Sequence, residues 1–166
     1  MNVNIALLTV TDTRTIDNDK SGGILVNKIK EANHNLIDRK ICKDNKDDIV
    51  VILKDWLNKK KIDAIITTGG TGLTGRDITP EALDEIADKH IPGFGEMFRY
   101  ISIKSVGTSS IQSRACAVLS NGKYVFALPG SSGGVTDAWD EILKYQLDIN
   151  HKPCNFVELF PRLKEK

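Results

Sequence analysis

Cysteine and histidine are scarce in this chain, and their scatter argues against two common kinds of site. The three cysteines, Cys42, Cys116 and Cys154, form no Cys-x-x-Cys pair and are odd in number. This pattern favours reduced thiols over a disulfide scaffold or a structural zinc site. The three histidines are equally scattered, so no histidine metal site is expected. Reduced thiols in turn predict a cytoplasmic protein.

Long apolar runs and an excess of one charge are also missing. No apolar stretch approaches the roughly 20 residues that a membrane-spanning helix needs. The first ten residues lack the basic region of a signal peptide. Lys and Arg number 23 against 22 Asp and Glu, a net charge of +1, so no overall field favours nucleic acid or a membrane surface. Any phosphate binding must therefore come from a local site.

Glycine, by contrast, is plentiful, and four of the 13 glycines fall in residues 69–77, which we call the glycine loop. The apolar run Ala64–Ile66 precedes this loop and predicts a strand buried on both faces. A helix signal follows it, with Thr79 as the predicted N-cap and Pro80 at the first helical position. A strand, a glycine-rich turn and a helix start in succession are typical of an anion-binding site.

Two charged residues, Arg76 and Asp77, end the glycine loop. They supply a cation and a carboxylate, a pair suited to phosphate and magnesium. The loop lacks both the Gly-Lys-Ser/Thr ending of a Walker loop and the Gly-x-Gly-x-x-Gly spacing of a dinucleotide fold. The residues alone therefore leave open a plain tight turn with a surface ion pair.

The order of strand and helix patterns predicts the fold class. Strand patterns alternate with helical ones, which is typical of a three-layer α/β domain with a mainly parallel sheet. Asn121-Gly122 lies between two apolar runs and predicts a hairpin, and therefore one antiparallel strand. We expect residues 1–166 to form a single domain, with residues 150–166 as an extended C-terminal tail packed on it.

Four polar segments each follow a predicted strand: Thr11-Asp12, Asp44, the glycine loop and residues 129–132. Because parallel sheets bind ligands beyond the carboxyl ends of their strands, we expect these segments to share a cleft. Local patterns leave open explanations that involve no ligand. Thr11 and Asp12 suit an ordinary connection, Asp44 suits a helix N-cap, and the Ser/Thr-rich residues 107–114 suit a plain loop.

The chain carries three separated motifs, in the order Thr68–Glu81, Pro92–Arg99 and Leu128–Ser132. Together they resemble the MoaB/MogA family of molybdenum cofactor biosynthesis proteins, and most closely its MoaB branch. The resemblance extends from Ile5 to about Phe156. It implies a MoaB/MogA-like, Rossmann-like fold and a homo-oligomer, either a trimer or a dimer of trimers, with neither nucleic acid nor a membrane as partner.

The resemblance also implies an activity and a set of site residues. Active family members transfer AMP from ATP to molybdopterin with Mg²⁺, which implies catalytic and magnesium-binding roles for Asp44 and Asp77. The implied substrate-binding residues are Thr11, Asp12, Gly69, Gly70, Thr71, Gly72, Arg76, Thr108, Ser109, Ser110, Pro129, Gly130, Ser131 and Ser132. The main alternative is a non-catalytic molybdopterin-binding protein of the same pathway, and a weaker one is a nucleotide hydrolase on the same scaffold.

Overall fold

The structure is a computed structural model that describes residues 1–165, and its centre is a sheet between two layers of helices. The strands are β1 (Asn4–Val10), β2 (Asn35–Cys42), β3 (Ala64–Thr68), β4 (Lys89–His90), β5 (Cys116–Ser120) and β6 (Lys123–Leu128). Within the described residues these six strands lie in the order β2-β1-β3-β6-β5-β4. Strands β2, β1, β3 and β6 are parallel, and β5 runs antiparallel to both of its neighbours. The predicted three-layer, mainly parallel fold is confirmed.

Helices cover both faces of the sheet. They are α1 (Lys20–Glu31), α2 (Lys46–Asn58), α3 (Thr79–Ile86), α4 (Pro92–Val106), α5 (Ser132–Ala138) and α6 (Lys144–Gln146), with a π-helical turn at Trp139–Leu143. Short 3₁₀ segments lie at Gly107–Gln112 and Val157–Arg162. One apolar core joins α1, α4 and α5 to the sheet, and the other joins α2 and α3 to its opposite face. None of the helices within residues 1–165 combines the length and apolarity needed to cross a membrane.

The central strands are buried on both faces, as their apolar runs predict. In β1, Ile5 and Leu7 enter one core while Ala6 and Leu8 enter the other. This alternation follows from the two-residue period of a strand, which sends successive side chains to opposite faces. The central strands are thereby held by packing on two sides, so the loops at their ends stand on a rigid base.

The predicted hairpin is present at Asn121-Gly122. Ser120 pairs with Lys123, and both turn residues have positive φ, 47° at Asn121 and 71° at Gly122. These angles define the tight turn for which the Asn-Gly pair is preferred. The two-residue strand β4 then pairs with the outer edge of β5. It was not predicted, because two residues carry no recognisable strand pattern.

Two helix starts differ from those that the sequence pattern predicts, which are Ser21 as the N-cap of α1 and Glu96 as the first residue of α4. The N-cap of α1 is Asp19 rather than Ser21, and its carboxylate accepts a hydrogen bond from the Gly22 N–H at 3.0 Å. Helix α4 begins at Pro92, four residues earlier than expected. The glycines beside Phe94 suggested a break, but burial of the Phe94 ring outweighs the weak helix propensity of glycine.

The C-terminal segment is more ordered than the extended tail that was predicted. A 3₁₀ turn forms at Val157–Arg162, and Val157 is buried. Phe156 and Phe160 pack on Tyr124, with ring centroids 4.6 Å and 5.6 Å from that ring. The aromatic contacts fasten this segment to β6, as the prediction of a packed tail requires.

Candidate functional site

Two neighbouring cavities open beyond the carboxyl ends of the parallel strands. The larger cavity has a volume of about 610 Å³ and the smaller cavity about 370 Å³. Gly70, Gly130 and Ser131 line both cavities and form a shared wall between them. The cleft expected from the four polar segments is therefore divided into two compartments.

Most of the predicted site residues line one cavity or the other. Those in the larger cavity are Gly70, Thr71, Gly72, Asp77, Ser109, Ser110, Pro129, Gly130 and Ser131. Those in the smaller cavity are Thr11, Asp44, Gly69, Gly70, Gly130 and Ser131. Four predicted residues line neither cavity: Asp12, Arg76, Thr108 and Ser132. Thr108 and Ser132 are simply exposed, the first on the 3₁₀ segment after α4 and the second at the start of α5.

The shared wall requires glycine because backbone meets backbone there. Gly69 has φ +102°, and a Cβ on it would lie 2.2 Å from the Val10 carbonyl oxygen. A Cβ on Gly130 would lie 3.3 Å from the Gly69 Cα atom. The Gly69 N–H also donates to the Leu128 carbonyl at 3.0 Å. The glycine loop and the loop at residues 129–132 therefore approach each other through backbone atoms, and the positive φ and the Val10 contact require glycine at Gly69.

Thr79 ties the beginning of the glycine loop to α3. Its hydroxyl donates to the Gly69 carbonyl at 2.8 Å, and its backbone N–H donates to the Gly70 carbonyl at 3.0 Å. The prediction of Thr79 as an N-cap was wrong: the helix already includes Thr79, and no side chain caps its start. The hydroxyl binds the loop instead, which fixes the loop relative to the helix.

Arg114 supports the rest of the glycine loop from behind. Its backbone N–H donates to the Thr71 carbonyl at 2.9 Å, and its guanidinium donates to the carbonyls of Gly72 at 2.7 Å and Asp77 at 2.8 Å. The guanidinium also pairs with Glu81. Its donors are therefore directed to the glycine loop and to the Glu81 carboxylate rather than into either of the two cavities.

The carbonyl groups of five loop residues, the five that bind Thr79 or Arg114, thus point into the protein body. In a trans peptide the C=O group and the following N–H group point in opposite directions. The N–H groups of Gly70 and Thr71 therefore point away from the body, and both residues line the larger cavity. Successive N–H groups directed to one side form a nest that suits an anion.

Asp77 is held firmly at the end of the glycine loop. Its Oδ2 atom accepts hydrogen bonds from the Thr74 N–H at 2.9 Å and the Thr74 hydroxyl at 2.7 Å. Burial alone would raise the pKa of Asp77, but the hydrogen bonds from Thr74 and from the Gly72 N–H outweigh it and hold the pKa below its usual range. Asp77 is therefore ionised and fixed in place by the loop itself.

Asp44 lies at the other side of the loop, in the smaller cavity. The N-cap of α2 is Asn45, which accepts from the Asp48 N–H at 3.1 Å, so Asp44 is not the cap. Burial, followed by the charge of Asp12, raises the pKa of Asp44, and the charge of Asp77 adds to the increase. A carboxylate in such surroundings is stabilised by a cation.

Asp12 and Arg76 pair with each other at the edge of the site. The Arg76 guanidinium donates to Asp12 Oδ2, and Asp12 Oδ1 accepts from the Asp44 N–H at 3.2 Å. The hydrogen bond from Arg76 holds the pKa of Asp12 below its ordinary value. Arg76 was predicted to bind substrate; in the structure its charge is directed to Asp12, which links the loop after β1 to the glycine loop.

Arg14 is a candidate site residue that the sequence did not single out. It lines the smaller cavity, and its Nη1 atom donates to the Gly130 carbonyl and to the Ser21 hydroxyl, each at 3.2 Å. The sequence feature that could have identified Arg14 is its position in the polar loop, four residues beyond the end of β1. This guanidinium gives the smaller cavity a positive group in addition to the Asp44 carboxylate.

The larger cavity combines an apolar wall with neutral hydroxyl groups. Phe98, Val106 and Pro129 supply the apolar surface. The residues that the sequence did not predict there are Phe98, Ser102, Ser105, Val106, Gln112, Ser113, Gly133, Gly134 and Asp137. Most come from α4 and α5, whose approach in space has no local signature in the sequence. Such a lining suits a flat, polar ring system.

Thiol chemistry does not contribute to either cavity. All three cysteines are free, as predicted. Burial raises the pKa of Cys42 to about 12 and that of Cys116 to about 11, so both remain protonated at neutral pH. Neither is poised as a nucleophile.

The carboxylates fit a magnesium ion that is shared with a phosphate. Among residues 1–165, no group of three His, Cys, Asp or Glu side chains forms a ready-made metal site. Mg²⁺ usually keeps several water ligands and binds one or two carboxylates together with substrate phosphates. The charge of Asp77 contributes to the raised pKa of Asp44, so these two carboxylates are the candidate donor set of that kind.

The fold and the paired cavities define an α/β ligand-binding domain whose site lies at the carboxyl edge of a parallel sheet. Residues 6–149 match the family described as "Probable molybdopterin binding domain". Molybdenum cofactor biosynthesis protein B of Escherichia coli K12 is 41% identical over 161 residues, which are 97% of this chain and 93% of the relative. The chain belongs to the MoaB/MogA family of molybdenum cofactor biosynthesis proteins, within the MoaB branch, as its motifs indicated.

Solved structures agree with this assignment. A crystal structure of molybdenum cofactor biosynthesis protein B has a TM-score of 0.89 at 36% identity and covers 100% of this chain and 98% of its own. The tungsten cofactor synthesizing protein MoaB from Pyrococcus furiosus has a TM-score of 0.77 at 32% identity, covering 86% of this chain and 91% of its own. The fold is therefore shared over essentially the whole length.

Proposed function

We propose that this protein transfers AMP from ATP to molybdopterin in molybdenum cofactor biosynthesis, with Mg²⁺ as cofactor. The biosynthetic role is supported by the family and by the names of its relatives. In the transfer, an oxygen of the molybdopterin phosphate attacks the α-phosphorus of ATP. A new P–O bond forms, the bond to the β-phosphate oxygen breaks, and pyrophosphate leaves.

The observation that carries the proposal is the inward binding of the loop carbonyls by Thr79 and Arg114. It leaves the N–H groups of Gly70 and Thr71 directed outwards without any rearrangement. Phosphoryl transfer needs little covalent chemistry from the protein; it needs alignment of the groups and neutralisation of charge. Donors that are already fixed before the reaction supply both.

The two cavities suit the two substrates. The apolar wall and hydroxyl groups of the larger cavity fit the pterin ring of molybdopterin. The smaller cavity holds Arg14, whose guanidinium suits the phosphates of ATP. The two cavities adjoin at Gly70 and Gly130, so the molybdopterin phosphate and the α-phosphate would meet at the edge of the shared wall, where the new bond must form.

Asp44 and Asp77 are the residues that would hold the magnesium ion. When bound, this ion neutralises the charge on the transferring group and on the leaving pyrophosphate. Asp77 contributes a fixed, ionised carboxylate, because Thr74 orients it. Asp44 contributes the carboxylate whose ionisation is disfavoured without a cation. Arg114 acts indirectly by holding the backbone on which Asp77 stands.

A second candidate is a non-catalytic molybdopterin-binding protein. The favouring observation is that both charged residues at the end of the glycine loop already have protein partners, Arg76 with Asp12 and Asp77 with Thr74. A pair of charges satisfied within the protein can serve structure alone. In that case the larger cavity would still bind the pterin.

Incubation of the protein with molybdopterin, Mg²⁺ and α-labelled ATP separates these candidates. The proposal predicts a labelled pterin product and an equal amount of pyrophosphate. Molybdopterin binding without either product would identify the non-catalytic binder. Absence of molybdopterin binding would contradict both.

We further propose that the protein is a homo-oligomer, a trimer or a dimer of trimers, assembled through α4. Helix α4 buries Phe94, Phe98 and Ile101 in the core. Its other apolar side chains recur every three residues and are half or more exposed: Met97 51%, Tyr100 69%, Ile103 53% and Val106 53%. An exposed stripe of this kind is typical of a subunit contact.

Light scattering tests the assembly. The parent protein is expected at three or six times the monomer mass, and Tyr100→Asp is expected to shift the population towards monomer. Val51→Asp, at another exposed apolar position, is the matched control and should leave the mass unchanged. A monomeric parent protein at micromolar concentration would contradict the proposal.

A further inference from the structure

We infer that Asp137 is a specificity-determining residue that recognises the amino-pyrimidinone edge of the bound ring. This inference rests on the proposed function, in which the larger cavity receives a pterin. Asp137 lies on α5, lines the larger cavity and is half-buried. The proposed transfer makes no use of it, so its presence there calls for a separate role.

The Asp137 carboxylate is oriented but not saturated by its protein contact. Its Oδ2 atom accepts one hydrogen bond, from the Ser105 hydroxyl at 3.0 Å. An ionised carboxylate has about four acceptor sites on its two oxygens. The contact from α4 therefore fixes the group while leaving acceptor capacity for a ligand.

Asp137 differs from the other carboxylate in the same cavity. Asp77 belongs to the glycine loop and accepts hydrogen bonds from Thr74. Asp137 lies six residues along the chain from Ser131, which corresponds to about 9 Å at the rise of an α-helix. The cavity thus has an anion-binding end at the glycine loops and an acceptor end at Asp137. A ligand with a phosphate at one end and hydrogen-bond donors at the other is orientated by this polarity.

The ring that matches a carboxylate has two neighbouring donors on one edge. A pterin presents its N3–H and its 2-amino group side by side, and both can donate to one carboxylate, as a guanidinium does. Guanine presents the same edge. Adenine presents its amino group beside a ring nitrogen that accepts, and this acceptor would face the Asp137 charge. Asp137 therefore favours a pterin or guanine edge and disfavours adenine, which assigns ATP to the other cavity.

The test compares two ring systems that present different groups at this edge. A lumazine carries an oxygen where the pterin carries its 2-amino group, so it offers one donor and one acceptor. Pterin-6-carboxylate and lumazine-6-carboxylate are titrated against the full chain by fluorescence, with the parent protein and Asp137→Asn. The parent is expected to bind the pterin at least about tenfold more tightly, because the carbonyl of the lumazine would face a carboxylate.

Asp137→Asn should reverse this preference. An asparagine amide can accept from the lumazine N3–H and donate to its 2-oxygen, so the variant should bind lumazine at least as well as pterin. Asp140→Asn is the control and should retain the parent preference, because Asp140 lies three residues further along the chain, pairs with Lys28 and does not line the larger cavity. Ser105→Ala is a second variant, expected to weaken pterin binding several-fold while keeping the preference.

The outcomes separate this inference from the proposed function. A parent protein that binds pterin and lumazine equally, with no change in Asp137→Asn, overturns the inference while leaving pterin binding intact. A parent protein that binds neither ring contradicts the proposed function itself. Guanosine monophosphate serves as a third ligand: tighter binding of it, lost in Asp137→Asn, would support the edge recognition but replace the pterin as the occupant.

Discussion

The two carboxylates beside the glycine loop are held in opposite ways. Asp77 accepts hydrogen bonds from the loop, and its pKa lies below the ordinary value. Asp44 faces the carboxylates of Asp12 and Asp77 from a partly buried position, and its pKa lies above the ordinary value. The Asp77 carboxylate is therefore stabilised by the protein itself, whereas the Asp44 carboxylate is destabilised by the negative charges beside it.

This difference indicates a division of roles. A carboxylate that the loop orients keeps its geometry with or without a ligand, which is what preorganisation requires. A carboxylate with unfavourable neighbours gains the most when a cation arrives, so it adds ligand affinity rather than loop rigidity. The following variants test this contrast, beginning with those that should change the measured rate or affinity most.

Removing either charge should cost the most in activity. Asp77→Asn and Asp44→Asn are each expected to lower the rate of adenylyl transfer about a hundredfold, as loss of a major electrostatic contact does. The double variant should lose less than the product of the two, since both groups would serve one ion. The measurement is pyrophosphate release at saturating substrates. Full activity in Asp77→Asn would remove the catalytic assignment and favour the non-catalytic binder.

Adding one methyl group to the shared wall should have the next largest effect, on both stability and molybdopterin affinity. Gly70 has φ +68°, and a Cβ there would lie 2.4 Å from Thr79 Oγ1 and 3.3 Å from Asp44 Oδ1. Gly70→Ala is expected to lower the free energy of unfolding by about 1–3 kcal/mol and molybdopterin affinity by about tenfold. Gly75→Ala is the matched control, because a Cβ there meets nothing within 4 Å. Equal behaviour of the two variants would show that the wall tolerates a side chain.

Removing the support behind the loop should have a smaller effect on binding. Arg114→Ala releases the carbonyls of Gly72 and Asp77, whereas Arg99→Ala releases those of Ser113 and Ala115. Each is expected to cost about 2 kcal/mol in the free energy of unfolding. Only Arg114→Ala should also weaken molybdopterin binding, by about fivefold or about 1 kcal/mol. Calorimetric titration of both variants decides whether the loop geometry depends on Arg114.

The smallest effect is on thermal stability as a function of pH. The raised pKa of Asp44 means that the folded state resists its ionisation, so the parent loses stability as pH rises from below 3.8 through the folded pKa. Asp44→Asn should therefore melt at a higher temperature than the parent at pH 7 and at the same temperature at pH 3. Asp77→Asn should melt lower than the parent at pH 7, because the lowered pKa of Asp77 stabilises the fold above 3.8 and the effect is lost as pH falls through its folded pKa. Shifts of the same sign in both variants would contradict the contrast.

The features of this structure that could be predicted from the sequence are those determined by residues close together in the chain. Alternating strand and helix signals, the Asn121-Gly122 turn and the position of Asp44 and the glycine loop at strand ends all depend on neighbouring residues. The two-residue period of a strand and the φ preference of glycine involve only a few consecutive residues, so they can be recognised from the sequence alone.

The parts that were missed depend on residues distant in the chain. Arg114 reaches Gly72 across 42 positions, and Ser105 reaches Asp137 across 32. The Asp12–Arg76 pair spans 64 positions and claims a guanidinium that looked available for substrate. Local sequence patterns show that a charged residue lies in a loop, but the tertiary packing determines which residue that charge pairs with. A predicted site therefore identifies the region more reliably than the role of each side chain.

The wall between the two cavities is largely bare backbone at Gly70 and Gly130. It has few side chains that could rotate to absorb a displacement, so a ligand that moves either loop reshapes both compartments together. In the proposed function a ligand occupies each cavity, so the two binding events would be coupled, and linkage requires this coupling to be reciprocal. Whichever ligand enters first would alter the affinity for the second by the same factor, so the total free energy of binding the two is independent of the order of entry.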